Sequence, residues 1–148
     1  MIIAAVDDAS DRRQIERALQ QNPGEAEAHY YKGVVARQRG DLPRAMQEME
    51  TVVHADPQHV PALAELGTLA MQTGNLERAR QALEQAVSLQ PEIPENHYQL
   101  GLAYTRLGLS DKARAQMAKF QELRSAADRA KSTGTISRKP AADDHPPL

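Results

Sequence analysis

Residues 60–93 read VPALAELGTLAMQTGNLERARQALEQAVSLQPEI, and this stretch shows how the whole chain is built. Its glycine Gly67 has counterparts 34 residues away on either side, at Gly33 and Gly101. Three further position classes share this interval: Gly40, Gly74 and Gly108; Ala45, Ala79 and Ala113; Pro23, Pro57 and Pro91. A fixed period of roughly 20 to 50 residues is typical of proteins made of stacked repeats. Such proteins usually act as binding surfaces, so the period points towards partners and away from catalysis.

The composition favours helices and excludes several kinds of chemistry. Among 148 residues there are four Tyr, one Phe, no Trp and no Cys. Few aromatic and β-branched residues disfavour a sheet, whereas the abundant Ala, Leu, Gln, Glu and Arg favour helices. The absence of cysteine excludes disulfides, thiolate metal sites and cysteine nucleophiles. The formal net charge of -2 provides no overall field that would attract nucleic acid or an anionic membrane.

The sequence as written has no recognisable targeting signal. Met1–Val6 is apolar, but it lacks a basic leader and is shorter than the core of a signal peptide, about 7–15 residues. No other run approaches the ~18 apolar residues of a membrane span, so no membrane insertion is expected. We expect a cytoplasmic protein, or a periplasmic or envelope-associated one if the true N-terminus lies upstream.

Glycine and proline divide the chain into helical hairpins. Gly40 provides a left-handed helix stop, and Pro43 suits the first turn of the next helix. The predicted helices span residues 26–38, 41–55, 62–72, 77–89, 95–107 and 110 to about 131. Because one hairpin cannot bury its apolar face alone, neighbouring hairpins must stack.

Three glycines fall inside predicted helices, where glycine costs about 1 kcal/mol relative to alanine. This cost indicates that a partner helix passes too close for a Cβ at Gly33, Gly67 and Gly101. A Gly67→Leu substitution is therefore expected to destabilise the protein markedly.

These residues resemble the tetratricopeptide repeat, a 34-residue helix–turn–helix motif with conserved small and large positions. The second repeat, residues 60–93, matches best, at Leu63, Leu66, Gly67, Ala70, Ala79, Leu83, Ala86 and Pro91. The first repeat, residues 26–59, has His29, Lys32, Gly33, Ala36, Ala45, Met49, Val52 and Pro57 at these positions, of which Lys32 and Val52 depart from the motif. The third, residues 94–127, has His97, Leu100, Gly101, Tyr104, Ala113, Met117 and Phe120. Ser125 replaces its closing proline, so the last helix is expected to run on to about Lys131.

The resemblance implies an all-α, right-handed α-solenoid of three tetratricopeptide repeats over residues 10–131, with an extended C-terminal capping helix. Residues 10–25 resemble a half-repeat, a second helix without its first, because Ile15, Ala18 and Pro23 fall at motif positions. This half-repeat is either an N-terminal cap or part of an array that continues upstream. Residues 1–9 are expected to form a short stub, and residues 132–148 a disordered tail.

In tetratricopeptide proteins, positions 2, 5, 9, 12 and 13 of each repeat line a concave groove. Carried onto this sequence, the resemblance predicts a peptide-binding groove that includes Tyr30, Val34, Arg37, Thr68, Met71, Tyr98, Leu102 and Arg106. The tyrosines would be aromatic anchors, the aliphatic residues the floor, and the arginines partners for acidic or backbone groups of a ligand. Alternatively, the two tyrosines only pack against adjacent helices.

One subtype of the family can be excluded by its residues. Family members that hold the carboxylate tail of heat-shock chaperones use lysine, asparagine and arginine at five positions. These positions are occupied here by Tyr30, Val34, Glu65, Glu95 and Gln99. None matches, so binding of a chaperone tail is not expected.

The sequence offers no convincing catalytic or metal site, so neither an enzyme nor a cofactor is predicted. His29 and His97 share one repeat position two repeats apart and are interpreted as packing residues. His54 with His59, and the tail segment 143–145, provide too few preorganised ligands for a metal ion. No phosphate-binding glycine loop, nucleophile-elbow serine or zinc-type histidine pair is present. RNA-reading repeats need a basic groove, whereas the predicted groove has two arginines and two glutamates.

We therefore expect a non-catalytic protein–protein interaction module that holds a peptide or a helical segment of another protein. An alternative is an assembly or regulatory segment of a longer protein, such as an enzyme or a component of a secretion or envelope complex. A third hypothesis is a homo-oligomer formed through the terminal helices.

Overall fold

The structure, a computed structural model, describes residues 22–143. The predicted stub at residues 1–9, most of the half-repeat at residues 10–25, and residues 144–148 lie outside this range. The described residues form six α-helices and no strand: α1 Pro23–Gln38, α2 Leu42–Ala55, α3 Val60–Gln72, α4 Leu76–Leu89, α5 Pro94–Arg106 and α6 Ser110–Asp143. The prediction of an all-α fold is confirmed for this part of the chain.

The helix ends follow the turn and capping signals in the sequence. The Asp41 carboxylate accepts the Arg44 backbone N–H at 3.3 Å, which caps α2, and Asn75 caps α4 in the same way at 3.3 Å. Each hairpin then turns at a glycine in the left-handed region, with φ of 83°, 82° and 79° at Gly40, Gly74 and Gly108. Repetition of these signals produces three hairpins of the same construction.

Helix α1 begins at Pro23, three residues before the predicted start at Ala26. Proline is preorganised for the first turn of a helix and needs no hydrogen bond for its nitrogen. The Glu25 N–H also bonds the Asn22 carbonyl at 2.9 Å, which closes this first turn. The other starts differ from the prediction by at most two residues, and α6 begins at the predicted Ser110.

The hairpins α1–α2, α3–α4 and α5–α6 each pack internally, and α2 packs on α3 as α4 packs on α5. This order of contacts is that of a solenoid, in which each repeat touches only its neighbours. The first helices α3 and α5 also touch each other directly. The predicted stack of three helical hairpins is therefore present.

Two apolar clusters form the core, and the middle repeat belongs to both. The first joins α1, α2, α3 and α4 and contains the fully buried Met49, Leu63 and Leu66. The second joins α3 to α6 and contains the fully buried Leu83 together with Leu100. Stability of the two ends therefore depends on the same central hairpin.

Close helix approach at Gly67 explains the glycine inside α3. A Cβ built at this residue would lie 2.4 Å from Cγ of Leu83, a branch point that is fully buried in α4. At Gly101 a Cβ would meet the terminal methyl of Met117 at 2.8 Å. The expected close approach is present at both, but only Leu83 presents a rigid, branched obstacle.

The last helix differs from the prediction. It does not end near Lys131 but continues to Asp143, across most of the segment expected to be a disordered tail. Residues 124–131, RSAADRAK, contain strong helix formers without glycine or proline, which accounts for the helix up to the predicted boundary. Beyond it, α6 continues through Gly134 and Pro140, two residues with low helix preference. Side chains from Arg124 to Thr133 are exposed, so this part of the helix buries no core.

Candidate functional site

The first helices α1, α3 and α5 lie side by side and are joined by polar contacts. Arg37 of α1 forms an ion pair with Glu65 of α3. The Arg106 guanidinium of α5 donates to the Met71 carbonyl of α3 at 3.4 Å. We call the surface formed by the predicted groove residues of these three helices the first-helix face.

At the α1 end of this face, Tyr30 is held among other rings. Its ring centroid lies 5.2 Å from that of Tyr31, edge to face, and 5.3 Å from that of His59. Tyr30 and Val34 are half-buried and pack against the first core cluster. Burial, and then the negative charge of Glu65, raise the pKa of the Tyr30 hydroxyl above its ordinary value.

The middle of the face is lined by small side chains. Thr68 is half-buried, and its Oγ1 donates to the Ala64 carbonyl at 3.1 Å. Met71, which the sequence predicts in the groove floor, is only 5% exposed and belongs to the second core cluster. Few of its atoms are accessible, so the middle of the face consists mainly of Ala64 and Thr68.

At the α5 end, aromatic surface is accessible. Tyr98 is 39% exposed, and its ring centroid lies 5.1 Å from that of Phe120 of α6. Leu102 is half-buried and packs against the second core cluster. The arrangement supports the aromatic ring of Tyr98 from one side and leaves part of it open.

The two predicted arginines differ in their surroundings. Arg37 is half-buried and already neutralised by Glu65. Arg106 is exposed, and no carboxylate within residues 22–143 lies within ion-pair distance of it. Arg106 is therefore the better placed of the two to meet an acidic group of a ligand.

Both repeat histidines lie inside their hairpins, as their interpretation as packing residues suggests. His29 Nδ1 lies 2.6 Å from Glu48 Oε1, and His97 Nδ1 lies 2.7 Å from Gln116 Oε1. The buried His97 also donates from Nε2 to the Pro91 carbonyl at 2.7 Å. In both repeats the partner of the histidine lies 19 residues after it. This spacing is visible in the sequence, but the two contacts were not predicted.

Tyr104 in the third repeat is buried, and its hydrogen bond was likewise not predicted from the sequence. The Tyr104 hydroxyl of α5 donates to Glu84 Oε2 of α4 at 2.5 Å. Burial raises the pKa of Tyr104 to about 12, and the hydrogen bond to the Glu84 carboxylate acts in the same direction. This contact fixes α5 on α4 and lies away from the first-helix face.

Within the described range, no group of three or more histidine, aspartate or glutamate side chains could hold a metal ion. In that same part of the chain, no helix combines the length and the apolar character that crossing a membrane requires.

Comparison with known families identifies the repeats. One family model, described as a tetratricopeptide repeat, matches residues 7–68 and 36–92, and a second with the same description matches residues 94–126. The first match includes the whole of the predicted half-repeat at residues 10–25. No curated protein matches the chain in sequence.

Several solved structures have the same fold. The crystal structure of MamA superposes with a TM-score of 0.66 at 23% identity, covering 83% of this chain and 75% of MamA. The second tetratricopeptide region of Spaghetti (RPAP3), bound to an HSP90 peptide, superposes with a TM-score of 0.67 at 22% identity, covering 72% of this chain and 98% of that one. An O-GlcNAc transferase from Thermobaculum terrenum gives a TM-score of 0.64 at 26% identity, covering 69% of this chain but 20% of the transferase. These likenesses confirm the predicted solenoid fold.

Proposed function

Because the chain belongs to the tetratricopeptide repeat family, we propose that it is a non-catalytic protein-interaction module that holds a peptide or helical segment of another protein. The first-helix face is the proposed binding surface. The observation that carries this proposal is Tyr98, a large aromatic side chain 39% exposed on a face that is otherwise well packed. Aromatic side chains of this kind are common energetic centres of protein interfaces.

The chemistry of the face indicates what the ligand presents. An apolar side chain of the ligand packs on Tyr98 and Leu102, and an acidic or carbonyl group meets Arg106. The small residues Ala64 and Thr68 leave room for a ligand backbone between the two aromatic ends. Tyr30, held by its neighbours, forms the far margin and offers its hydroxyl as a donor.

Two of the similar structures are themselves complexes, which supports a binding role. One is the Spaghetti region with its HSP90 peptide, and another, with a TM-score of 0.67 at 17% identity, is the CopN–Scc3 complex. The partner of this chain is expected to differ from a chaperone tail, because Val34, Glu65 and Glu95 stand where tail-binding members have lysine or asparagine. A peptide that ends in such a tail should therefore bind no better than one with a scrambled sequence.

Photo-crosslinking tests where a partner binds. A photoreactive phenylalanine replaces Tyr98 in one version of the protein and Leu109 in the other, because these side chains are 39% and 38% exposed. Leu109 belongs to the turn before α6 and lies off the first-helix face. We expect a partner to be crosslinked at position 98 and not at position 109. Equal crosslinking at both positions would contradict the assignment of the face.

Substitutions test what the face contributes to affinity. Tyr98→Ala should weaken binding of the crosslinked partner by about 1–3 kcal/mol, because the aromatic anchor is lost. Arg106→Gln should weaken it less and make it less sensitive to salt. Leu109→Ala is the matched control and should bind as the unmodified protein does. Isothermal titration calorimetry measures all three, and undiminished binding by Tyr98→Ala would overturn the proposal.

A second candidate function is that of an assembly or regulatory segment of a longer protein. It is favoured by the O-GlcNAc transferase, an enzyme in which the superposed part is 20% of the chain. The genomic sequence upstream of Met1 tests this candidate. An in-frame segment that matches positions 1–14 of a repeat would support it, and a stop codon close upstream would exclude an N-terminal extension.

A further inference from the structure

One face of α1 is open in the described residues, although the same face is covered in both other repeats. Tyr31 is 61% exposed, Val35 is 40% exposed, and Ala28 is exposed as well. Their counterparts in α3 and α5 are buried or half-buried, namely Ala62, Glu65 and Leu69, and Asn96, Gln99 and Ala103. An open depression of about 560 Å³ lies over this part of α1 and is bordered by Arg44 of α2.

In the other two repeats, this face is covered by the second helix of the preceding hairpin. Val52 of α2 belongs to the same apolar cluster as Ala62 and Leu69 of α3. Leu83 of α4 shares the second cluster with Ala103 of α5. The open face of α1 therefore lacks a covering helix of the kind that α2 provides for α3.

The chain enters α1 with the backbone geometry that follows a second helix. Asn22 has φ -136° and ψ 90°, whereas Asp56 after α2 has -134° and 90°, and Gln90 after α4 has -137° and 85°. After Asn22, the Glu25 N–H donates to the Asn22 carbonyl at 2.9 Å. After Asp56, the His59 N–H donates to the Asp56 carbonyl in the same way, at 3.1 Å. The backbone conformation that connects α2 to α3 thus recurs at the start of α1.

The sequence before Asn22 contains apolar residues at the spacing that a covering helix requires. Thirty-four positions before Met49, Val52 and Val53 of α2 stand Ile15, Ala18 and Leu19, which share one helical face. Val53 packs against the same apolar cluster as Met49 and Val52.

The charges agree with the same register. Arg78 of α4 holds Glu50 of α2 through two hydrogen bonds of 2.8 Å. Thirty-four residues earlier, the equivalent pair is Glu16 and Arg44, and Arg44 borders the open depression. A helix that placed Ile15 against Val35 would therefore bring Glu16 towards Arg44.

We propose that residues 10–21 form a helix that docks on the open face of α1 in the way that α2 docks on α3. Ile15, Ala18 and Leu19 cover Ala28, Tyr31 and Val35, while Glu16 pairs with Arg44. The occupant of this face is thus the chain itself and not a second copy or another protein. The proposal does not depend on what the first-helix face binds.

The natural absence of cysteine allows a direct test, because any introduced thiol is unique. Val35→Cys and Leu109→Cys are made in the full chain, since these side chains are 40% and 38% exposed in the described structure. Their rates of reaction with a disulfide reagent are then compared. A covered thiol reacts only when its cover opens, so Val35→Cys should react at least about tenfold more slowly than Leu109→Cys.

Adding Ile15→Asp to both variants shows what provides the protection. The rate at position 35 should rise to that at position 109, while the rate at position 109 stays the same. Equal rates in the two single variants would overturn the proposal. So would protection of position 35 that disappears on dilution together with a dimer in sedimentation, because that result assigns the face to a second copy.

Hydrogen exchange of the unmodified chain gives an independent answer should Ile15→Asp disturb folding. Backbone amides of residues 15–21 should exchange more slowly than in a synthetic peptide of residues 1–21. Exchange as fast as in the peptide would contradict a docked helix.

Discussion

Gly67 shows how one residue sets the distance between two helices. A Cβ at this position would lie 2.4 Å, 2.8 Å and 3.0 Å from Cγ, Cδ2 and Cδ1 of Leu83. Leu83 is fully buried, so it has no free space into which it can turn. Gly101 meets the flexible end of Met117 instead, which is half-buried and can move aside.

We expect Gly67→Ala to lower the free energy of unfolding by about 1–3 kcal/mol, because overpacking a dense core forces side chains and backbone to shift. Gly101→Ala is the matched control and should change stability little, since alanine gains about 1 kcal/mol of helix preference over glycine. Urea denaturation measures both. An equally stable Gly67→Ala variant would contradict the close approach.

The Tyr104–Glu84 hydrogen bond makes stability depend on pH at the alkaline end. The pKa of Tyr104 is raised to about 12 in the folded state, from the ordinary value near 10 that the unfolded chain has. The folded state therefore favours the neutral phenol, and this contribution is present below pH 10. It is lost as the pH rises through the interval from 10 to 12, because the unfolded state releases its proton first.

The free energy of unfolding of the unmodified protein should therefore fall more steeply between pH 9.5 and 11.5 (an interval that brackets the ordinary tyrosine pKa of ~10) than that of Tyr104→Phe. Chemical denaturation at a series of pH values gives both slopes. Tyr98→Phe, at a tyrosine that is 39% exposed, is the control and should retain the slope of the unmodified protein. Parallel curves for the unmodified protein and Tyr104→Phe would contradict the assignment.

The sequence predicts these residues unevenly. Gly67 and Leu83 could be predicted because their roles recur in every repeat at the same two positions. The burial of Met71 and the pairing of Arg37 with Glu65 could not, since both depend on which side chain the neighbouring repeat presents. The position of a residue in the repeat specifies the direction in which its side chain leaves the helix. It does not specify whether a side chain of the neighbouring repeat buries that residue or pairs with it.

At the scale of elements, α6 is the clearest difference between expectation and structure. Helices α1 to α5 end at glycine or proline signals close to the predicted boundaries, whereas α6 meets no such signal at Ser125. Once the closing proline is absent, helix formers carry α6 past Ser125 to the predicted boundary near Lys131. Gly134 and Pro140 disfavour a helix interior and lie beyond that boundary, yet α6 continues through them to Asp143.

Deletion of residues 132–148 tests whether this extension is helical. The free energy of unfolding should stay within about 0.5 kcal/mol of that of the full chain, because the described side chains that lead into this segment, Arg124 to Thr133, are exposed. The total helical signal in circular dichroism, per molecule and not per residue, should fall by the amount that residues 132–143 contribute. An unchanged total signal would instead support the disordered tail.

At the scale of the whole molecule, the central hairpin α3–α4 is shared by both apolar clusters. In a stack of repeats, stability is the sum of each repeat and its interfaces, and a central repeat has one interface more than an end repeat. Opening of α5–α6 leaves the first cluster in place, while opening of α3–α4 disrupts both. The α5–α6 hairpin should therefore open before the central hairpin does.

Native-state hydrogen exchange should show the slowest amides in α3 and α4 and faster exchange in α6, fastest beyond Arg124. Leu66→Ala, which removes a fully buried side chain of α3, should cost about 2–5 kcal/mol and accelerate exchange in all six helices. Leu109→Ala, in an exposed turn, should leave the pattern unchanged. Slowest exchange in α5 or α6 would contradict a central origin of stability.

The similar backbone conformations of Asn22, Asp56 and Gln90 also bear on how such a chain can grow in length. Since the backbone leaves each second helix with nearly the same dihedral angles, an inserted copy of residues 60–93 would meet its neighbours through contacts that already exist. Gene duplication can thus lengthen the protein by whole repeats without first evolving a new interface. Each added repeat would lengthen the first-helix face while leaving the flanking repeats as they are.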